Sequence, residues 1–299
     1  AQVDGQDEYL GTRVWIAAPK EEGANTVARL RDIEVCQESR KIFARMTNAV
    51  LDEVCSRELS QSQQAFLNGR DIVRNNVKLH ARLRDEMARA AKKGLPLSDT
   101  ALLLMLDCTK GFNLLDRAWV RRCLRAAKVP LPLQNVIDAM MEGEAVLVLD
   151  GKEAGAAQLQ GCPLSCFIYI LCVDPLLKAL EELETEAGEP RTLCSGFVDD
   201  WAVIFRGTDT LKRVIHLVED FETASGQVIN RGKSALVPSR TLMPDEIEKC
   251  RAQWADLKIS TKERLLGLQV GIDVTIADQY AGALQKFERL LERLREPAA

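Results

Sequence analysis

LCSGFVDDWAVIF, residues 193–205, sets one apolar run before an acidic pair and a second run after it. Two short apolar runs joined so tightly read as a β-hairpin, which puts Asp199 and Asp200 at its tip. Upstream, ALLLML (101–106) is another apolar run of strand length, and Asp107 ends it. Adjacent central strands would bring the three carboxylates to one sheet edge, where they repel each other strongly unless their charge is offset. A hard divalent cation such as Mg2+ does this, binding one or two carboxylates and completing its octahedron with phosphate oxygens and water. Two such ions about 3.5–4 Å apart form the clamp that stabilises attacking and leaving oxygens in phosphoryl transfer. Taken alone, an Asp-Asp pair is also an ordinary turn, so the residues around it decide between the two readings.

Outward from this centre, the apolar positions between Asp32 and Ala91 recur at three and four, as in Ile42, Met46, Val50 and Val54, with no proline among them. That spacing predicts mostly helix, broken near Asn68-Gly69 and closed by Gly94-Leu95-Pro96. After the strand at 101–106 a helix is predicted from about 116 to 128, a second after Pro130 and Pro132, and a hairpin over 145–156 turned at Asp150-Gly151. Pro163 to Leu183 reads as a long apolar helix that Pro175 must kink or split. The remainder predicts a helix over 209–224, a strand near 235–237, another helix, a hairpin around 265–272 and a charged terminal helix. This order predicts an α+β sheet with helices on one face.

Composition narrows the function classes. The 299 residues are 46% hydrophobic and 28% charged, as expected for one large or two modest globular domains. No apolar run approaches the roughly 18 residues of a membrane span, and the start, AQVDGQDEYL, is acidic where a secretory signal is basic and then apolar. Neither anchoring nor secretion is expected, and a first residue of Ala rather than Met suggests a processed product or part of something longer. The 9 cysteines form no CxxC pair, so reduced core thiols are expected, with no disulfide partner. With only 2 histidines, a Ser/His/Asp or Cys/His arrangement has little support. The net charge of −4 conceals an asymmetry: residues 1–130 carry 22 Lys/Arg against 17 Asp/Glu, and residues 131–299 carry 18 against 27. The basic part suits a polyanion or is a set of solvated helix faces.

Five motifs now follow in order: LDCTKGFNLLD (106–116), QGCPLS (160–165), FVDD (197–200), SGQVINRGKS (225–234) and LLGLQVG (265–271). Together they resemble the palm of a reverse transcriptase, most closely the non-LTR retrotransposon type. QQAFLNGRDIVRNN (63–76) is similar to the family's Q-x-G-F-x-x-G-R segment, and LRDIEVCQESRKIFAR (30–45) to its RPI-x-L…K-I-x-A-R segment. The resemblance covers about residues 14–272. It implies a right-hand polymerase: a helical, basic fingers region over 1–98, a palm with a ferredoxin-like antiparallel sheet backed by helices over 99–272, and the start of a thumb or a linker over 273–299.

Residue by residue, the resemblance assigns Asp107, Asp199 and Asp200 to two Mg2+ ions, with Mn2+ as substitute. Phe112 would stack under the incoming sugar and exclude a 2′-hydroxyl. Gln160 and Gly161 would lie beside the nascent base pair, Arg31 and Lys20 would reach the triphosphate, and Lys233 would stand near the leaving pyrophosphate. Leu266 and Gly267 would grip the primer. The partners implied are an RNA template, a DNA primer and dNTPs, with no membrane, inside the cell in nucleus or cytoplasm as a ribonucleoprotein. Departures from the family pattern are Gly111 and Asn113 in the A and D places of D-x-x-K-A-F-D, Leu159 where an Arg commonly precedes QG, Asp32 for the Pro of RPI, and Phe-Val for Tyr-Ala before the acidic pair. A catalytically inactive reverse-transcriptase-like domain that binds nucleic acid is the alternative. A two-metal nuclease or phosphatase would use the same carboxylates but has no need of the other motifs.

Overall fold

The computed structural model describes residues 13–19, 30–35, 38–109, 111, 114–142, 145–149, 152–155, 162–183 and 192–295. At its centre lies β3 (Ala101–Asp107), whose side chains alternate between two apolar layers. Leu102, Leu104 and Leu106 enter the larger core, while Ala101 and Leu103 join a second cluster on the opposite face. β6 (Leu193–Phe197), β7 (Asp200–Arg206), β8 (Ala235–Pro238) and β9 (Lys258–Ile259) complete a sheet of order β6-β7-β3-β8-β9. Every pair in it is antiparallel except β8 with β9.

The larger core is built on α5 (Ser165–Glu181), which buries residues around nearly its whole circumference, with α3 (Arg117–Ala126) and α6 (Thr208–Ser225) beside it. Pro175 does not split α5 as expected. It sits at an exposed position of a helix held by packing on its other sides, and that packing outweighs one missing backbone hydrogen bond. Helices were also expected on one face only. Instead α2 (Ile72–Lys93) covers the opposite face through Leu79 and Leu83, together with the hairpin of β10 (Glu263–Leu265) and β11 (Leu268–Val270).

The N-terminal region departs further from its expected helix. Leu30–Val35 is a strand, β2, paired antiparallel with β1 (Arg13–Pro19), and α1 begins only at Glu38 and runs to Cys55. Pairing across the chain overrides local helical spacing there. β4 (Ala145–Leu149) and β5 (Lys152–Gly155) are antiparallel as predicted, with Leu149 opposite Lys152, and β4 adds parallel to β1 in a second sheet, β2-β1-β4-β5. The turn Asp150-Gly151 lies outside the described residues. α4 (Leu131–Glu142), α7 (Pro244–Arg251) and α8 (Ile276–Arg295) complete the fold. Along α8, Ile276, Tyr280, Leu284, Phe287 and Leu290 are exposed at helical spacing. Among the described residues, no helix is long and apolar enough to cross a membrane.

An ion cluster pins α2 to the sheet. Glu86 is 3% exposed and accepts from Arg206 of β7 at 2.5 and 3.2 Å, with Arg82 at 3.1 Å and Arg89 at 3.4 Å. Burial pushes the Glu86 carboxyl up, but the hydrogen bonds and charge of Arg206, with Arg82 and Arg89, bring it net below its ordinary 4.5. A carboxyl depressed by folding stabilises above its unfolded pKa and loses that stability as pH falls through the folded value. Arg206→Met is expected to cost on the order of 2 kcal/mol at neutral pH, with a smaller deficit in acid, as read by denaturant unfolding at several pH values.

Candidate active site

Register sets the site. Asp107 ends β3 directly opposite Asp200 at the start of β7, so their side chains leave the same face. Asp199 precedes Asp200 in the two-residue turn from β6. Partial burial, then the charges of Asp199 and Asp107, push the Asp200 carboxyl up to about 6. Asp199 and Asp107 thus both lie within electrostatic reach of Asp200. Burial also raises the Cys108 thiol and the Tyr169 hydroxyl beside them, so both stay protonated and neither is a nucleophile.

The turn that presents the acidic pair is strained. Val198 has φ of 58°, the left-handed region, which costs a β-branched residue about 1–3 kcal/mol. Two contacts hold it: Trp201 Nε1 donates to its carbonyl at 2.6 Å, and its own N–H reaches the Oε1 of Gln63 at 3.3 Å.

Asp107 is held by the SGQVINRGKS segment. Asn230 N–H donates to the Asp107 carbonyl at 2.7 Å, and the Asp107 N–H donates to Ser234 Oγ at 3.2 Å. Ser234 Oγ and the N–H groups of Lys233 and Ser234 all donate to the Asn230 carbonyl, closing the turn that carries exposed Lys233. Lys233, Asp107, Asp200, Trp201, Leu266 and Gly267 line one cleft of about 320 Å³. Leu266 and Gly267 occupy the β10–β11 turn with φ of 47° and 92°, conformations that favour glycine at the second position.

The same segment reaches the loop after β3. Buried Gln227 donates through Nε2 to the Gly111 carbonyl at 2.7 Å and accepts from Tyr169 OH at 3.3 Å. A Cβ at position 111 would lie 2.7 Å from that hydroxyl, which accounts for glycine in the place where the family pattern has alanine.

The structure therefore gathers Asp107, Asp199, Asp200, Lys233, Leu266 and Gly267 at one end of the sheet. Arg31 lies on β2 opposite Ala18, in the second sheet. Lys20, Phe112, Gln160 and Gly161 fall outside the described residues. Sequence reasoning missed Gln63, Tyr169, Gln227, Asn230 and Ser234 as individual site residues. The motifs that hold Gln63, Gln227, Asn230 and Ser234 were visible, whereas Tyr169 lay only in the apolar helix after QGCPLS, and a polar side chain that supports a neighbouring backbone leaves no periodic trace.

Donor chemistry fits a divalent cation: three carboxylates without nitrogen or sulfur suit a hard ion, and the charges of Asp199 and Asp107 that add to burial in raising the Asp200 carboxyl are ones a cation would offset. Among the described residues, no three His, Cys, Asp or Glu side chains are gathered tightly enough to cage a metal, so the trio is an electrostatic cluster rather than a closed coordination shell.

The profile of the family "Reverse transcriptase (RNA-dependent DNA polymerase)" matches residues 18–268. A Transposon TX1 uncharacterized 149 kDa protein of Xenopus laevis is 27% identical over 227 residues, covering 73% of this chain and 17% of that protein. Among solved structures, apo telomerase from Candida tropicalis superposes with a TM-score of 0.59 at 13% identity, over 94% of this chain and 50% of that one. Telomerase from Candida albicans, in complex with a fragment of telomeric RNA, gives a TM-score of 0.53 at 10% identity, over 95% of this chain and 50% of its own. These likenesses show a polymerase fold, and the chain spans about half of each telomerase and 17% of the transposon protein.

Two outcomes are expected. Gly111→Ala should lose about 1–3 kcal/mol through overpacking against Tyr169, and Tyr169→Phe in the same chain should recover most of it, as measured by chemical denaturation. The Asp200 carboxyl, raised from 3.8 to about 6, stabilises the cation-free protein below 3.8, an advantage lost as pH rises through 6. In EDTA, Asp200→Asn should flatten that decline in melting temperature.

Proposed function

The chain belongs to the reverse transcriptase (RNA-dependent DNA polymerase) family, and on that premise we propose that it extends a DNA primer with dNTPs along an RNA template, as the polymerase domain of a non-LTR retrotransposon-like protein. The observation that carries the reading is the pairing of Asp107 with Asp200, beside Asp199, at the mouth of a cleft that Lys233 also lines. In this reading the fingers span 1–98, the palm 99–272 and the start of a thumb 273–299, the last supported by the exposed apolar stripe of α8. The setting is a ribonucleoprotein in nucleus or cytoplasm.

Asp107, Asp199 and Asp200 would hold two Mg2+ ions, or Mn2+ in their place. Bound there, divalent ions supply charge neutralisation at the attacking primer oxygen and the leaving phosphate oxygens. The protein's own groups do the rest by position and charge. Lys233 faces the cleft, where it neutralises the departing pyrophosphate or gives it a proton. The Leu266-Gly267 turn lies across the same cleft and would brace the primer end. Phe112, Gln160, Gly161, Arg31 and Lys20 keep their assignments to the sugar, the nascent base pair and the triphosphate.

A path for nucleic acid is supported by α2. At 3.6 residues per turn, Arg74, Lys78, Arg82, Arg89, Lys92 and Lys93 fall within an arc of about 100°, with Asp85 as its acidic interruption. Arg74, Lys78, Lys92 and Lys93 have no ion-pair partner among the described residues. The helix starts beside the acidic end of the sheet, where Asn75 and Gly196 share the Ser62 carbonyl, and ends past Arg206 at the other. In a chain of net charge −4, so concentrated a basic stripe suits a phosphate backbone.

The second reading, a silent nucleic-acid-binding domain, is favoured by the departures from the family pattern, Leu159 for an Arg and Asp32 for a Pro. Primer extension on a DNA-primed RNA template with Mg2+ or Mn2+ separates the two. The polymerase reading expects extension that falls at least about a hundredfold in Asp199→Asn/Asp200→Asn. Intact primer-template binding without extension would instead establish the silent domain. In either case Arg74→Ala and Lys78→Ala should each lower the slope of log affinity against log salt by about 1.

A further inference from the structure

We propose that Gln63 is a positioning residue for the acidic cluster: its carboxamide oxygen, acting across 135 residues of sequence, holds the Val198 turn in the conformation from which Asp199 and Asp200 project. The claim rests on the polymerase reading only for its activity readout.

Gln63 is 0% exposed. Its Oε1 accepts two backbone N–H groups, from Ala65 at 3.1 Å within its own loop and from Val198 at 3.3 Å across the site. Backbone contacts on both sides keep it in register with β6: Gly196 N–H donates to the Ser62 carbonyl at 2.9 Å, and Gln64 N–H donates to the Gly196 carbonyl at 3.0 Å. Arg70 fixes the loop from behind, its guanidinium donating to the carbonyls of Gln63, Leu59 and Ser56 at 2.7, 3.0 and 2.8 Å and also to that of Ser60.

The choice of side chain is informative. Gln63 Nε2 is buried with no hydrogen-bond partner among the described residues, a cost that a leucine or methionine of similar size would avoid. Those residues lack the acceptor. Glutamate has it, but would place a fourth negative charge beside three carboxylates. Glutamine supplies the oxygen without the charge. A left-handed valine next to the acidic pair needs such an acceptor, because nothing intrinsic to its backbone favours that conformation.

The test compares the full chain as wild type, Gln63→Leu, Val198→Gly and the double variant. Mn2+ binding, read by electron paramagnetic resonance, is the measure independent of turnover. Gln63→Leu should weaken Mn2+ binding about tenfold and lower kcat about 10- to 100-fold while the dNTP KM stays within about twofold. The double variant should regain most of both, since glycine adopts the left-handed turn unaided. A residue of merely structural importance would not be rescued at Val198. Wild-type Mn2+ affinity in Gln63→Leu, failure of Val198→Gly to restore it, or a wild type that binds no Mn2+ would each overturn the proposal. Should Gln63→Leu not fold, Gln63→Asn, one methylene too short to reach Val198, carries the same comparison. Mn2+ binding that follows this pattern in a wild type unable to extend primers leaves the clamp standing and removes the polymerase reading.

Discussion

Pairing β3 against β7 sets Asp107 opposite Asp200, and everything around the site serves to keep two like charges, with Asp199 as a third, at neighbouring positions. Directly opposed like charges oppose strand pairing. The strands stay together because both of their faces are buried: Leu102, Leu104, Trp201, Val203 and Phe205 on one side, Leu103, Ala202 and Ile204 on the other. The unfavourable end of the ladder is attached to its best-packed stretch. That arrangement keeps the carboxylates at neighbouring positions, where burial and then the charges of Asp199 and Asp107 raise the Asp200 carboxyl.

Hydrogen bonds from distant loops then define the site more finely than packing can. Gln63 and Trp201 hold the Val198 turn, Asn230 and Ser234 hold the end of β3, and Gln227 with Tyr169 holds the loop at Gly111. Each joins segments far apart in the chain by a buried polar group, which is stable only when its partner is in place. The segments 63–70 and 225–234 are thus scaffolding for the site, and several of their polar residues support backbone rather than face the cleft.

Charge is distributed to a similar purpose. A chain that is acidic overall concentrates cations along one side of α2, while the carboxylates gather where β3 ends and β7 begins. On the inner side of the same helix, Glu86 absorbs Arg206 and its neighbours, so one element both locks to the sheet and offers a basic face. Fold and electrostatics are coupled through that helix.

Elements with strong local signatures were legible in the residues alone. The apolar strand before Asp107, the hairpin around Asp199-Asp200, the helix closed by Gly94, the helix expected over 209–224 and the hairpin around 265–272 all stand close to where spacing and turn chemistry put them. Ordered motifs further identified the family, because five short patterns in sequence carry information that no single one does. Long-range packing and pairing, by contrast, make Leu30–Val35 a strand, carry α5 through Pro175, close the second face of the sheet with α2 and bring Gln63 to Val198. The reason is physical: local spacing reports which side of an element is apolar, whereas strand pairing, proline tolerance and buried hydrogen bonds depend on partners tens or hundreds of residues away, whose positions exist only once the chain has folded.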